Sequence, residues 1–173
     1  QSDRDRRRTD RSISLMIADL DQLNRGLEEL VEERAAALRA SEEELRAQNL
    51  LFDVAVNNMT QALVSFDASE RLTMWNNRFL EMYRFQPGQI KAGFTVPDLL
   101  RARIEVGTFA GDPEKDAESI ISPVRRGLTT SRLVELPDGS TIKIVNVPLP
   151  GGGWVSTHED ITERRNAEKK IAY

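Results

Sequence analysis

Cysteine is absent from the 173 residues, which removes disulfides, thiolate nucleophiles and thiolate metal sites, and fits a reducing compartment. Histidine occurs once, as His158, too few for a multi-histidine metal centre. A catalytic triad fails too, because His158, Glu159 and Asp160 cannot converge along an extended strand. No apolar run approaches the roughly 20 residues that cross a bilayer, so this segment is not expected to span a membrane. Basic charge is not in excess either: 24 Lys and Arg stand against 28 Asp and Glu, a net charge of −4. Without a basic field, nucleic acid is not an expected partner. No nucleophile, base and orienting group stand together in a motif, so this segment is not expected to be an enzyme.

Composition changes along the chain, from glycine-poor and charged before about Asn49 to glycine- and proline-punctuated after it. In the first part Ile13, Leu20 and Leu27 recur every seven residues with Met16, Leu23 and Leu30 between them, the seam of a coiled coil. Val31, Leu38, Leu45 and Phe52 continue the repeat in a shifted phase. The eleven residues from Leu27 to Leu38 amount to a four-residue insertion, a stutter that locally unwinds a supercoil. One helix cannot bury such a stripe alone. A parallel homodimer is the economical reading; the alternative is a helix folded back on its own domain. Gly26 weakens the helix, and Arg34 and Ser41 weaken the seam, so register or twist can shift at small cost. Residues 1–12, with Arg4 to Arg11, are expected to be a basic, disordered end, or a tract following a membrane span in a longer parent. The coiled-coil helix is placed at 13–49.

From Leu50 the pattern becomes mixed. Helical LFDVAVNNM ends near Asn58; strands are expected at Ala62–Phe66 and Arg71–Trp75, with a helix from Asn76 through Tyr83. Asp98 is expected to cap a helix through about Glu105, and Asp112-Pro113 to open another, its inner face supplied by Ala117, Ile120, Ile121 and Val124. Strands at Leu133–Leu136, Thr141–Val147 and Trp154–Glu159 are separated by Pro137-Asp138-Gly139 and by Pro150 with three glycines, both turn signals.

Three segments carry a family resemblance: WNNRFLEMY at 75–83, ELPDGS at 135–140 and GGGWVSTHEDITERRNAEKK at 151–170. Over roughly residues 50 to 165 the chain resembles PAS domains, the Asp160-Ile161-Thr162 exit motif being the most specific match. The resemblance implies an α+β fold, a five-stranded antiparallel sheet with flanking helices, here preceded by a long coiled-coil helix. It places the PAS domain at 50–162 and an exit helix or linker at 163–173. Asn76 matches an asparagine that such sequences often carry where the second strand becomes helix. Asp160, Ile161 and Thr162 become the expected signal-transfer residues. Thr162 suits a helix cap, and Asp160 can pair with an arginine or accept backbone amides.

Such a sheet encloses a cavity. Alternation puts Trp154, Ser156, His158 and Asp160 on one side of the last strand. In flavin-binding relatives a glutamine two residues before the exit aspartate touches the flavin, and His158 stands there. The candidate pocket is therefore His158, Asn146, Trp75, Phe79, Met82, Ile104 and Leu63; for the apolar members, core packing is the simpler role. His158 reads equally as a hydrogen-bonded structural histidine or a sensing one. Light-sensing relatives carry a cysteine that adds to flavin, whereas the corresponding region here, KAGFTVPDLL, has none; haem-binding relatives use a histidine on an earlier helix. No cofactor is expected, and any ligand is small and noncovalent. AEKKIAY at 167–173 is similar to linkers preceding GGDEF diguanylate cyclase domains, with a sensor histidine kinase as the alternative output. The resemblance thus implies a cytoplasmic, dimeric sensor and transmission module, its parent either free or tethered to the inner membrane. A ligand-free structural dimerisation device is the other reading.

Overall fold

The computed structural model describes residues 2–172, the side chain of Ser2 excepted. The chain divides into two compact units, Gln1–Phe52 and Asp53–Tyr173.

Most of the first unit lies in helix α1, Ser2–Asn57. No proline interrupts it and Gly26 is its one glycine, while Ala, Leu, Glu and Arg, all strong helix formers, fill most of it. Residues 1–12 were expected to be disordered; instead the helix is continuous from Ser2, and Gln1 lies outside the described residues. Asp3 and Asp5 sit in the first turn, where the helix dipole favours negative charge, and Arg7 pairs with Asp3 four residues back at 3.4 Å. Every residue of the expected seam, from Ile13 to Phe52, is at least 45 % exposed in the single chain.

The second unit is a five-stranded antiparallel sheet in the order β2-β1-β5-β4-β3, with helices packed on it. Its strands are β1 (Ala62–Phe66), β2 (Leu72–Trp75), β3 (Thr130–Glu135), β4 (Thr141–Pro148) and β5 (Trp154–Asp160). Between β2 and β3 lie α2 (Asn77–Met82), α3 (Val96–Glu105) and α4 (Pro113–Arg125); α5 (Thr162–Ile171) follows β5. Tyr173, the last residue of the expected exit segment, lies outside the described residues. Both expected reversals form. In the second, Gly153 has φ +77°, and a Cβ there would collide with the Phe66 carbonyl and the Asp67 backbone, so only glycine fits.

The expected cap at Asp98 is corrected. Thr95 is the N-cap of α3, its hydroxyl accepting from Asp98 N at 3.2 Å while the Asp98 carboxylate accepts from Thr95 N at 3.0 Å. Asp98 is thus the third helical residue of a capping box, and the helix starts earlier than its aspartate suggests. Asp112 does cap α4, accepting from Glu114 N and Lys115 N. Asn76 is nearly sealed from solvent and joins three elements. Its Oδ1 accepts from Phe79 N at 3.0 Å and Leu63 N at 2.9 Å, and its Nδ2 donates to the carbonyls of Val56 and Gln61. The core gathers Val64, Phe66, Ile142, Ile144 and Trp154 from the sheet against Phe79, Tyr83, Leu99, Leu100, Ile121 and Val124. Each such large apolar side chain contributes about 1.5–3 kcal/mol on burial.

Candidate functional site

Pleating sends Val64 and Phe66 of β1, Arg132 and Val134 of β3, Ile144 and Asn146 of β4, and Trp154, Ser156 and His158 of β5 to one face. With Phe79, Leu99, Leu100, Arg103, Phe109, Asp116 and Ile120 opposite, they line a partly open cavity of about 240 Å³.

Two polar groups of the cavity wall, Asn146 and Ser156, are committed to each other. Ser156 Oγ donates to Asn146 Oδ1, and Asn146 Nδ2 donates to Thr130 Oγ1 at 3.1 Å, so Asn146 is held across three strands. His158 is buried, and its Nδ1 lies 2.5 Å from the Tyr83 hydroxyl. Burial, then the positive charges of Arg103 and Arg132, pulls the His158 pKa down to about 3. Burial likewise pushes Tyr83 up to about 12. At neutral pH a neutral phenol and a neutral imidazole therefore share this hydrogen bond. Arg103 stacks 4.0 Å from the Tyr83 ring centre and donates from Nη2 to the Thr108 carbonyl at 2.7 Å. A buried cation thus supports the aromatic ring that orients the histidine.

Two donors of residues that line the cavity are left over. Arg132 Nε and the Trp154 indole N–H are buried and have no hydrogen-bond partner among the described residues. Asp116 is the one carboxylate in the lining, and its charge acts on Arg132.

Of the seven expected pocket residues, the structure brings His158, Asn146 and Phe79 to the cavity wall. The other four lie elsewhere. Leu63 pairs with Thr157 and so occupies the opposite face from Val64, because pleating alternates faces at every residue. Trp75, at the end of edge strand β2, and Met82 are half-buried against the core. Ile104 is 41 % exposed; the inner face of α3 is Val96, Leu99, Leu100 and Arg103, spaced three, four and seven residues apart. Reading from the sequence missed Arg103 and Arg132 because charge at a helix or strand position is ordinarily solvated. On β3 that pattern is reversed, with Leu133 53 % exposed and Arg132 inside.

The exit of the strand is built differently from the expected cap. Ile161 occupies the N-cap position of α5 and no side chain caps the helix. Thr162 Oγ1 instead accepts from Thr141 N at 2.9 Å, at the start of β4, and donates to Asp160 Oδ1 at 2.5 Å. Asp160 Oδ1 also accepts from Thr162 N at 3.0 Å, and Ile161 N donates to the Thr141 carbonyl at 2.9 Å. Of the two partners expected for Asp160, backbone amide is the one observed. The turn into α5 is thereby bonded to β4 as well as continuous with β5.

An antiparallel sheet of this strand order with short helices packed on it and a helix leaving its central strand is the arrangement of a sensor-module fold. A family model described as PAS fold matches residues 56–169, and the chain belongs to the PAS family. It is similar to the non-motile and phage-resistance protein of Caulobacter vibrioides, 31 % identical over 141 residues, covering 82 % of this chain and 15 % of that protein. It is also similar to the sensor protein DivL of Caulobacter vibrioides, 29 % identical over 113 residues, covering 64 % of this chain and 15 % of that protein. The chain thus spans about 15 % of the length of these curated relatives. Among solved structures, the PAS domain of Bordetella pertussis BvgS shares the fold at TM-score 0.50 and 18 % identity, over 73 % of this chain and 95 % of that one. The phage VqmA–DPO complex does so at TM-score 0.50 and 15 % identity, over 73 % and 59 %.

Proposed function

We propose that this chain is the dimeric sensory and signal-transmission module of a larger signalling protein. The observation that carries the reading is the continuity of β5. Trp154, Ser156 and His158 line the cavity, and Asp160 on the same strand holds the turn into α5 through Thr162. A change in cavity contents that shifts β5 therefore acts directly on the bonds that aim α5. The exposed heptad stripe of α1 supports a parallel pairing of two copies, since a seven-residue apolar repeat is buried best by its own equivalent. The similarity to a protein named as a sensor supports the sensory role. The output we assign is one that works across two subunits, with a GGDEF diguanylate cyclase first and a sensor histidine kinase as the alternative. With such an output, the module is assigned to the cytoplasmic side.

The decisive experiment is Asp160→Ala in the full-length parent, with output activity measured beside thermal stability. Loss of regulation in a folded variant is the expected result; unchanged regulation rejects the transmission role. The reading frame beyond residue 173 decides the output, since a phosphoacceptor-histidine motif there in place of a GGDEF domain excludes the cyclase.

A further inference from the structure

We propose that the cavity of the Asp53–Tyr173 unit binds a small neutral molecule of single-ring size that carries one hydroxyl, the hydroxyl meeting His158 Nε2. This deepens the sensory reading by assigning the chemical class of the stimulus, and it rests on that reading only for its regulatory meaning.

His158 stands on β5 between Ala62 and Ile144 of the neighbouring strands, two residues before Asp160, with its ring edge-on to Phe79. Its Nδ1 is taken by the Tyr83 hydroxyl. Nε2 has no hydrogen-bond partner among the described residues, yet it is not sealed: the side-chain atoms there that are both sealed and unpartnered are Arg132 Nε and Trp154 Nε1. The whole residue is 7 % exposed and lines the cavity, so the surface that Nε2 keeps open lies in the cavity. A buried polar group without a partner costs about 1–3 kcal/mol, and this nitrogen therefore marks where the polar group of a ligand belongs.

The rest of the wall selects what that ligand is. Asn146 and Ser156 satisfy each other, Arg103 is held by the Thr108 carbonyl and the Tyr83 ring, and the charges of Arg132 and Asp116 act on each other. Phe66, Leu99, Leu100, Phe109, Ile120 and Ile144 present only carbon to a guest, so one polar group is all that the cavity satisfies. Burial keeps the imidazole neutral down to about pH 3, so it forms no ion pair with an anion at neutral pH, and Arg103 and Arg132 repel a cation. A hydroxyl both donates and accepts, so it meets Nε2 in either tautomer of the ring. A cavity of about 150 Å³ lined by Leu, Ile and Phe holds benzene. The volume of about 240 Å³ here therefore accommodates a ring with its hydroxyl and a small apolar substituent.

The test titrates the full chain by calorimetry at neutral pH with p-cresol, with toluene, which lacks the hydroxyl, and with p-toluate, which carries a carboxylate in its place. p-Cresol is expected to bind, toluene to bind roughly 3- to 10-fold more weakly, the share of one neutral hydrogen bond, and p-toluate to bind more weakly than p-cresol. His158 is the one histidine of the chain, so isotope labelling of histidine nitrogen reports a single imidazole. Its Nε2 resonance is expected to move further on saturation with p-cresol than with toluene. His158→Phe is expected to bring p-cresol down to the affinity of toluene; the wild-type comparison and the Nε2 resonance stand even where that variant fails to fold. Toluene binding as tightly as p-cresol overturns the proposal. So does p-toluate binding as tightly or tighter, an Nε2 resonance that moves no further with p-cresol than with toluene, or no p-cresol binding up to about 10 mM, beyond the weak-binding range of interest. Binding is read on this chain without any output, so failure here is separate from failure of the sensory reading, which the Asp160→Ala experiment tests.

Discussion

His158 couples this fold to acid in a way that one substitution can isolate. In the unfolded chain its imidazole takes up a proton near the ordinary value of 6.5, whereas the folded one stays neutral until about 3. Between those values the unfolded state holds more protons, so stability is complete above about 6.5 and falls as the pH drops towards about 3. Tyr83 is its hydrogen-bond partner, Arg103 and Arg132 are the charges that act on it, and no second histidine contributes to the window. Asp98 and Asp138, held below their usual range chiefly by hydrogen bonds to Thr95 and Ser140, withdraw their support only at the acid end. Urea unfolding of wild type and His158→Gln from pH 7.5 to 4.5 is expected to show a clear loss in wild type and a much flatter profile in the variant. Parallel profiles reject the assignment. Asn76 offers a second residue-scale test, because Asn76→Ala removes a cap and strands the Leu63 amide and two carbonyls in the interior. A loss of about 2–4 kcal/mol is expected in chemical denaturation; a loss below about 1 kcal/mol means that the site relaxes to new partners.

Among the elements, the junction of β5 with α5 is held by few bonds, and two of them meet at the Thr162 hydroxyl. Thr162→Val keeps the shape and deletes both. The Thr141 amide and those of the first turn of α5 are expected to exchange with solvent roughly 5- to 30-fold faster, while those of the rest of β4 and of β1 are unchanged, since each neutral hydrogen bond contributes about 1 kcal/mol. Exchange unaltered at α5 means that the helix does not depend on the latch. The junction also shows what could be read beforehand. Asp160-Ile161-Thr162 stood out as the exit, yet the threonine looked like a helix cap, because its hydroxyl is a suitable first-turn acceptor by sequence position alone. Its partner, Thr141, lies 21 residues earlier and is brought alongside only by the β4–β5 pairing.

For the whole molecule, the exposed stripe along α1 makes association the main expectation. Removing residues 2–49 is expected to convert a dimer at high micromolar concentration into a monomer while leaving the sheet domain folded, as its core residues all lie beyond Val54. Light scattering that shows the full chain monomeric at that concentration rejects the pairing. Among the described residues, no helix is long and apolar enough to cross a membrane.

Elements governed by near neighbours were legible from the sequence. The heptad period, the proline–glycine reversals, Asp112-Pro113 and the alternation of β5 each act over a few residues, and they sufficed for the long helix and the strands of the last third; the five-stranded sheet and the inward placing of His158 and Asn146 came from the resemblance to PAS domains. The tertiary structure alone decided the chemistry of the cavity. Leu63 is buried on the sheet face away from the cavity because β1 meets β5 in a register no local pattern specifies. Arg103 and Arg132 face inward because Tyr83 and Thr108 receive the first and Ile144 sets the parity of the second. A charged side chain is placed inside only when distant partners offset its loss of water, and those partners have no address in the local sequence.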